Sequence, residues 1–261
     1  MVTYKKVIFY FCISFLFFGC KTREFTDECK YPIGTLLFSK IDFEFGEMYT
    51  GTERIDSFRV YNPMHQDIKL RFTDTLPYVN IVRELRDTVN YTGVEFEIAA
   101  KESELFYLKL SVAYSFPVGS IKEPVHIDIN GNVFVQPLGV FTTVVENPEN
   151  LLRQNGKGYP ELTIVRDTFL FDSVTDGREW RVSVPIKNTG EQPLLIRRIE
   201  TDCDCVVSEM EGKMILPGEE KVLKVTFDTM GRTGMQYRVI RLYTNAPRSP
   251  LKKVILRGYI S

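Results

Sequence analysis

The chain has 261 residues, with 33 lysines and arginines against 34 aspartates and glutamates for a net charge of −1, and it is 44% hydrophobic and 13% aromatic. Charges are scattered with no basic block, so the electrostatic footprint that phosphate neutralisation requires is missing and no nucleic acid partner is expected. Two histidines, no Gly-rich phosphate loop, no Gly-x-Ser-x-Gly elbow and no His-Glu-x-x-His leave the common catalytic chemistries without their parts, so no enzyme is expected.

At the N-terminus, Lys5 and Lys6 precede an uninterrupted low-polarity run from Val7 to Phe18. Twelve residues suit the apolar core of a secretory signal, whereas a bilayer-spanning helix needs about 20. The run closes with Phe17-Phe18-Gly19-Cys20, which resembles a bacterial lipobox, although that motif usually carries leucine and Ala or Ser where Phe17 and Phe18 stand. Residues 1–19 are expected to be a cleaved signal peptide and Cys20 to be lipidated. That places the protein in the bacterial cell envelope, lipid-anchored to a membrane and facing the periplasm or the outside. Each acyl methylene buried in the bilayer contributes about 0.8 kcal/mol. Without residues 1–19 the chain keeps 242 residues, 31 basic against 34 acidic for a net −3, a size comfortable for two domains.

Residues 20–36 read as a tether. Beyond them strands are expected nearly everywhere. "REWRVSVPIKN", "EKVLKVTFD" and "QYRVIRLYTN" alternate apolar and polar residues with period two, and "NTGEQP", "LPGEE" and "NAPRSP" supply turns between them. This pattern predicts β-sandwiches, and no long helical periodicity follows residue 30. The chain also repeats itself. "FEF" at 43–45 returns as "FLF" at 169–171, and Asn62 of "FRVYNP" returns as Asn188 of "VPIKNTG", both at an offset of 126. "SELFYLKL" at 103–110 returns as "EEKVLKV" at 219–225, with "RELRDTVNYTG" inserted in the first copy. Two copies are expected over 37–145 and 162–261. The polar, Asn/Gly/Pro-rich stretch 146–161 reads as a linker between them.

In the second copy, Asn188-Thr189-Gly190, Cys203-Asp204-Cys205, Pro217-Gly218-Glu219, Gly231-Arg232-Thr233-Gly234 and Asn245-Ala246-Pro247 occur in order after a Phe-rich first strand. This ordered set, over roughly 168–260, resembles the bacterial domain-of-unknown-function 1573 family, with Asp204 in place of that family's central glycine. The resemblance implies an immunoglobulin-like sandwich, distantly similar to PapD-like domains, and supplies no activity. The expected fold class is therefore all-β, two tandem immunoglobulin-like sandwiches after a cleaved lipoprotein signal.

Once Cys12 leaves with the signal and Cys20 carries lipid, Cys29, Cys203 and Cys205 remain, and an odd number forbids full internal pairing. In an extended strand the Cα atoms of Cys203 and Cys205 would lie about 6.6 Å apart. Disulfides span about 4.4–6.8 Å, so a bond between these two in an extended strand would be strained, and a bulge or turn would bring it into comfortable range. Three readings stand: a structural or passively oxidised pair packed in the sandwich, a thiol-redox or Cu(I) site, and pairing with Cys29. Zinc would need four ligands. His65, in "NPMHQ", and His126, in "PVHIDI", read as surface or edge residues, and Trp180 reads as core. The offset of 126 sets Pro77 and Val79 opposite the cysteines, which implies that the plan builds without thiols. The expected function is a membrane-anchored binding module without a cofactor, engaging another envelope protein or an extracellular polymer. The alternative is a thiol-redox or Cu(I)-handling protein using Cys203 and Cys205.

Overall fold

A computed structural model describes residues 28–74, 76–86 and 93–261. The expected signal peptide, Cys20 and most of the expected tether lie outside the described residues. The strands, in chain order, are β1 (Tyr31–Ile33), β2 (Leu36–Phe38), β3 (Asp42–Tyr49), β4 (Thr52–Tyr61), β5 (Ile68–Phe72), β6 (Val79–Val82), β7 (Glu95–Ile98), β8 (Ser103–Val112), β9 (Gly119–Ile129) and β10 (Asn132–Val145). After a short helix α1 (Pro148–Asn155) come β11 (Leu162–Thr163), β12 (Thr168–Val174), β13 (Glu179–Asn188), β14 (Leu194–Thr201), β15 (Val206–Met210), β16 (Met214–Ile215), β17 (Glu220–Asp228), β18 (Gly234–Thr244) and β19 (Leu251–Ile260).

The strands form four sheets: β1-β2-β4-β8-β6 with β3-β10-β9-β5-β7, and β11-β13-β17-β15 with β12-β19-β18-β14-β16. The period-two pattern produces them directly, because alternate side chains of a strand point to opposite faces. In β3 Phe43 and Phe45 are buried while Asp42 and Glu44 face water. In β17 Leu223, Val225 and Phe227 are buried between exposed residues. Each pair of sheets closes over its own apolar cluster, one running from Ile33 to Val144 and the other from Leu162 to Ile260. Fully burying one large apolar side chain contributes about 1.5–3 kcal/mol, so clusters of this size account for two stable sandwiches.

The two sandwiches share one strand order. Matching β4 to β13, β8 to β17, β6 to β15, β3 to β12, β10 to β19, β9 to β18, β5 to β14 and β7 to β16 superposes the sheet orders, including the parallel pairing of β3 with β10 and of β12 with β19. Asn62 and Asn188 occupy the same place. Both are fully buried. Each Nδ2 donates to the carbonyl four residues on (Gln66, Gln192; 2.8 Å) and to the carbonyl ending the partner strand (Ile98, Ile215; 2.9 Å). Each Oδ1 accepts the N–H two residues on, from Met64 or Gly190. A Cβ on Gly190 would lie 2.3 Å from the Tyr159 carbonyl oxygen, which explains why that turn reads Asn-Thr-Gly.

Three details depart from the sequence expectations. Ordered structure begins before residue 37, since β1 and β2 join the first sheet. The stretch 146–161 holds α1, started by Asn147, whose side chain accepts from Glu149 N and Asn150 N, with proline in the first turn. Its eight residues are too few for a helical periodicity to stand out. Finally, the offset of 126 does not persist into β6 and β15.

Candidate functional site

Cys203 and Cys205 sit in the turn that leads into β15 and are bonded to each other, with Cα atoms 5.2 Å apart. A turn brings the pair into the middle of the disulfide range, where an extended strand would hold it strained at the upper limit. Val206 N donates to Cys203 O (3.2 Å), and Cys205 N to Cys203 Sγ (3.2 Å). Cys205 is buried and Cys203 half-buried, both against the second core. The residues in their place in the first sandwich follow from matching bonds: Val79 N donates to Leu76 O as Val206 N does to Cys203 O, and Ser111 N donates to Tyr78 O as Asp228 N does to Cys205 O. The equivalents are therefore Leu76 and Tyr78, an offset of 127, rather than Pro77 and Val79. One extra residue within β14 causes the shift: its pairing with β18 skips Arg197, between Ile196 and Arg198, whereas β5 pairs with β9 without a break from Leu70 to Phe72. Leu76 and Tyr78 pack on the first core, as the disulfide does on the second.

The other thiol and the histidines stay apart from this pair. Cys29 is a free, buried thiol in the first sandwich, 3.7 Å from the Arg59 carbonyl oxygen, and burial pushes its pKa up despite the nearby Arg59 guanidinium. Pairing with Cys29 is thus not the arrangement adopted. His65 is exposed in a turn, and His126 Nδ1 lies 2.9 Å from Asp74 Oδ2 on the first sandwich. Among the described residues no group of three or more His, Cys, Asp or Glu side chains is placed to hold a metal ion. Trp180 packs on Phe171, ring centroids 5.4 Å apart.

A second feature lies where the sandwiches meet. The Glu200 carboxylate, only 12% exposed, accepts from Ser120 N (3.1 Å to each oxygen), Ser120 Oγ (2.8 Å) and Tyr243 OH (2.7 Å), and pairs with Arg198 Nε (2.7 Å). Burial opposes its charge, but the bonds from Tyr243 and Ser120, with Arg198, outweigh it and hold the carboxyl below the ordinary glutamate range. Tyr243 is pushed well above the usual phenol range, first by burial and then by Glu200. Gly119 makes this approach available: its φ is +138°, and a Cβ there would lie 2.7 Å from Glu200 Oε1. Arg197 with Glu146 (3.1 and 3.2 Å) and Lys253 with Glu47 (3.1 Å) add ion pairs across the same junction. Beside it opens a cleft of about 790 Å³, with Glu44, Lys122 and Phe141 from one sandwich and Thr201, Asp202 and Arg241 from the other. Nothing in the sequence singles out Glu200 or Ser120, because their partners lie 80 residues apart.

The outer face of the sheet containing β18 and β19 is divided. Arg241, Tyr243 and Lys253 adjoin the first sandwich. Further along, Met235 stands opposite Tyr259, Tyr237 opposite Arg257, and Leu170 on β12 opposite Arg257, so their side chains share one face. Leu170, Met235, Tyr237 and Tyr259 are each more than half exposed.

Comparison with known proteins agrees with this architecture. No curated protein matches the chain. A protein of unknown function from Porphyromonas gingivalis W83, known from its crystal structure, aligns over 87% of this chain and 100% of its own with a TM-score of 0.62 at 19% identity. At that identity the likeness concerns the fold. The PapD-like domain 7 of human CEP192 covers 40% of this chain and 87% of its own at 9% identity, TM-score 0.31. The Pseudomonas aeruginosa CupB2 chaperone covers 83% and 96% at 11% identity, TM-score 0.25. The motifs of the second sandwich act on its backbone: Asn188 as above, Gly218 with φ +78°, and Asn245 accepting from Leu195 N (2.7 Å) while donating to Pro193 O (3.1 Å). Residues 162–260 match the family model described as Protein of unknown function (DUF1573), and the C-terminal sandwich is a domain of that kind.

Proposed function

We propose that the protein is a lipid-anchored envelope protein whose C-terminal sandwich binds another envelope protein through the uncovered half of its outer sheet face. The observation that carries this reading is the cluster of Leu170, Met235, Tyr237 and Tyr259 around Arg257. Tyrosine, methionine and arginine are the residues enriched at protein–protein interfaces, and tyrosine and arginine dominate their hot spots. These four side chains together expose on the order of 500 Å², at the upper end of the largest patch on an ordinary monomer. The polar node at Glu200 supports the reading, because it holds the rest of the same face against the first sandwich. Crosslinking in intact cells tests it. The wild-type chain should yield a discrete adduct that Tyr237→Ser/Tyr259→Ser loses without a change in protein level. An adduct unaffected by that pair, and lost instead with a soluble polysaccharide competitor, would move the binding reading to an extracellular polymer.

The thiol reading is favoured by one observation of its own. A bond between residues two apart closes a loop of three residues, which by chain entropy stabilises by about 1.5 kcal/mol, against about 3 kcal/mol for a 15-residue loop. The bond is thus a weak staple, which leaves room for reversible chemistry. Cu(I) would require its reduction first, since thiolates are the ligands. Copper binding by the reduced protein that Cys203→Ser/Cys205→Ser abolishes is the expected result under this reading.

A further inference from the structure

The chain enters the first sandwich at β1, and the turn closing the β1–β2 hairpin touches the tip of the β9–β10 hairpin: a Cβ on Gly34 would lie 2.5 Å from the Phe134 ring. Phe134 packs on the first core, whereas its neighbours Val133 and Val135 do not. They stand 61% and 95% exposed, and Tyr31 on β1 is 46% exposed. Strand pairing shifts register between Phe134 and Leu138, so Val135 has neither a ladder partner nor a packing partner. A single exposed valine carries no meaning. Here Val133 and Val135 flank the Phe134 that the β1–β2 turn touches, and Tyr31 lies three residues before Gly34 of that turn, on the strand by which the chain arrives.

Only residues 21–27 separate Cys20 from Glu28, the first described residue. The eight Cα-to-Cα steps from Cys20 to Glu28 reach at most about 28 Å, so lipid on Cys20 would keep this end of the sandwich that close to the bilayer. A tether this short raises the local concentration of the surface to the millimolar range, at which contacts too weak to hold alone become occupied. The side chains suit that surface: tyrosine favours the headgroup level, and exposed Lys30 next to Tyr31 supplies a cation for anionic lipid. The opposite end of β9, at Gly119 and Ser120, holds the second sandwich, so the 11 residues of β9 set the tip and the junction about 35 Å apart.

We infer that Tyr31, Val133 and Val135 form a membrane-contact surface, inserted at the headgroup level of the bilayer that carries the Cys20 lipid, which turns the C-terminal sandwich outward. The inference rests on the lipid-anchor reading, and the test separates the two. Full-length protein carrying Val135→Cys is labelled with an environment-sensitive fluorophore, Cys29 being buried and Cys203 bonded to Cys205, and is reconstituted in vesicles containing a lipid-borne quencher. Val165→Cys, at a position 98% exposed on the second sandwich, is the reference. The expected result is at least threefold stronger quenching at 135 than at 165, and loss of quenching of a Tyr31→Cys label when Val133→Asp/Val135→Asp is added. Acyl content of the same sample is measured by mass. Equal quenching at 135 and 165 in fully acylated protein overturns the contact surface and leaves the anchor standing. Preferential quenching at 135 in protein lacking the acyl chains supports the surface and overturns the anchor, and the absence of both overturns both.

Discussion

The two sandwiches carry the same strand order on different cores. In the first, Phe58 lies opposite Phe106, and with Phe43, Phe72 and Phe96 they form an aromatic centre with ring centroids 5.2–6.3 Å apart. In the second the same pair of positions holds Val184 opposite Leu223. Where the first places Leu76 and Tyr78 against its core, the second places a disulfide. Side-chain identity changes while the buried/exposed alternation and the buried asparagine persist. The plan is thus specified by pattern and by a few backbone-satisfying residues, and the core volume is filled in more than one way.

The sharpest way to break this comparison is at the aromatic centre. Phe58→Ala should cost about 3–5 kcal/mol, because it removes a fully buried ring together with four ring contacts. Chemical denaturation of the full chain should show the loss. A cost below about 1 kcal/mol would mean that the centre collapses freely and is not the packed core described.

Asn188→Ala should come next, at about 3 kcal/mol. It leaves the buried carbonyl of Ile215, the partly buried carbonyl of Gln192 and the Gly190 N–H without their partner. Asn62→Ala should act alike on the first sandwich. Equal costs for the two would make the asparagine the common element of the plan. A neutral Asn188→Ala would show that water replaces it and that the shared turn is incidental.

These two sites also show what was legible beforehand. Asn62 and Asn188 stood out because the repeat brought them into one register, and the alternation in β3, β13 and β17 gave the strands directly. The junction was not readable, since Ser120, Arg198 and Glu200 have the composition of ordinary surface residues and meet only after both sandwiches form. The Leu76/Tyr78 correspondence was missed by one position, because the single-residue bulge at Arg197 inside β14 leaves no turn signal in the sequence and shifts the register of everything after it. The cysteine turn was half legible: its spacing marked an extended bond as strained but could not choose between a turn and two free thiols.

At the junction, Gly119→Ala should cost about 2 kcal/mol, combining backbone strain at φ +138° with the clash against Glu200 and Arg198. The loss should appear as separation of the two sandwiches, read as an increased radius of gyration and two melting transitions in place of one. The sandwich 162–261, produced alone, is expected to stay folded with its own transition. Glu200 adds a pH dependence. Its folded-state pKa lies below the ordinary value of 4.5, so its contribution is fully present above that value and is lost as pH falls through the depressed one. Glu200→Gln should flatten that acid limb. An unchanged limb would place the acid sensitivity elsewhere.

The smallest effect is expected at the cysteines, and it separates the two readings of the second sandwich. Cys203→Ser/Cys205→Ser should lower its stability by about 1–2 kcal/mol. The three-residue loop supplies about 1.5 kcal/mol of cross-link at most, and placing a hydroxyl where Cys205 is buried adds a modest desolvation cost. Reduction alone, with both thiols kept, should cost less than the serine pair, since small thiols still fill the space that Leu76 and Tyr78 fill in the first sandwich. If the pair is packing, thiol counting on the native protein should give zero under any mild redox buffer, and the partner adduct should survive the serine substitutions. A count that moves between zero and two across a mild potential range, with the adduct following it, would instead make this turn the working part of the second sandwich. Leu76 and Tyr78 would then mark what the first sandwich has without that chemistry.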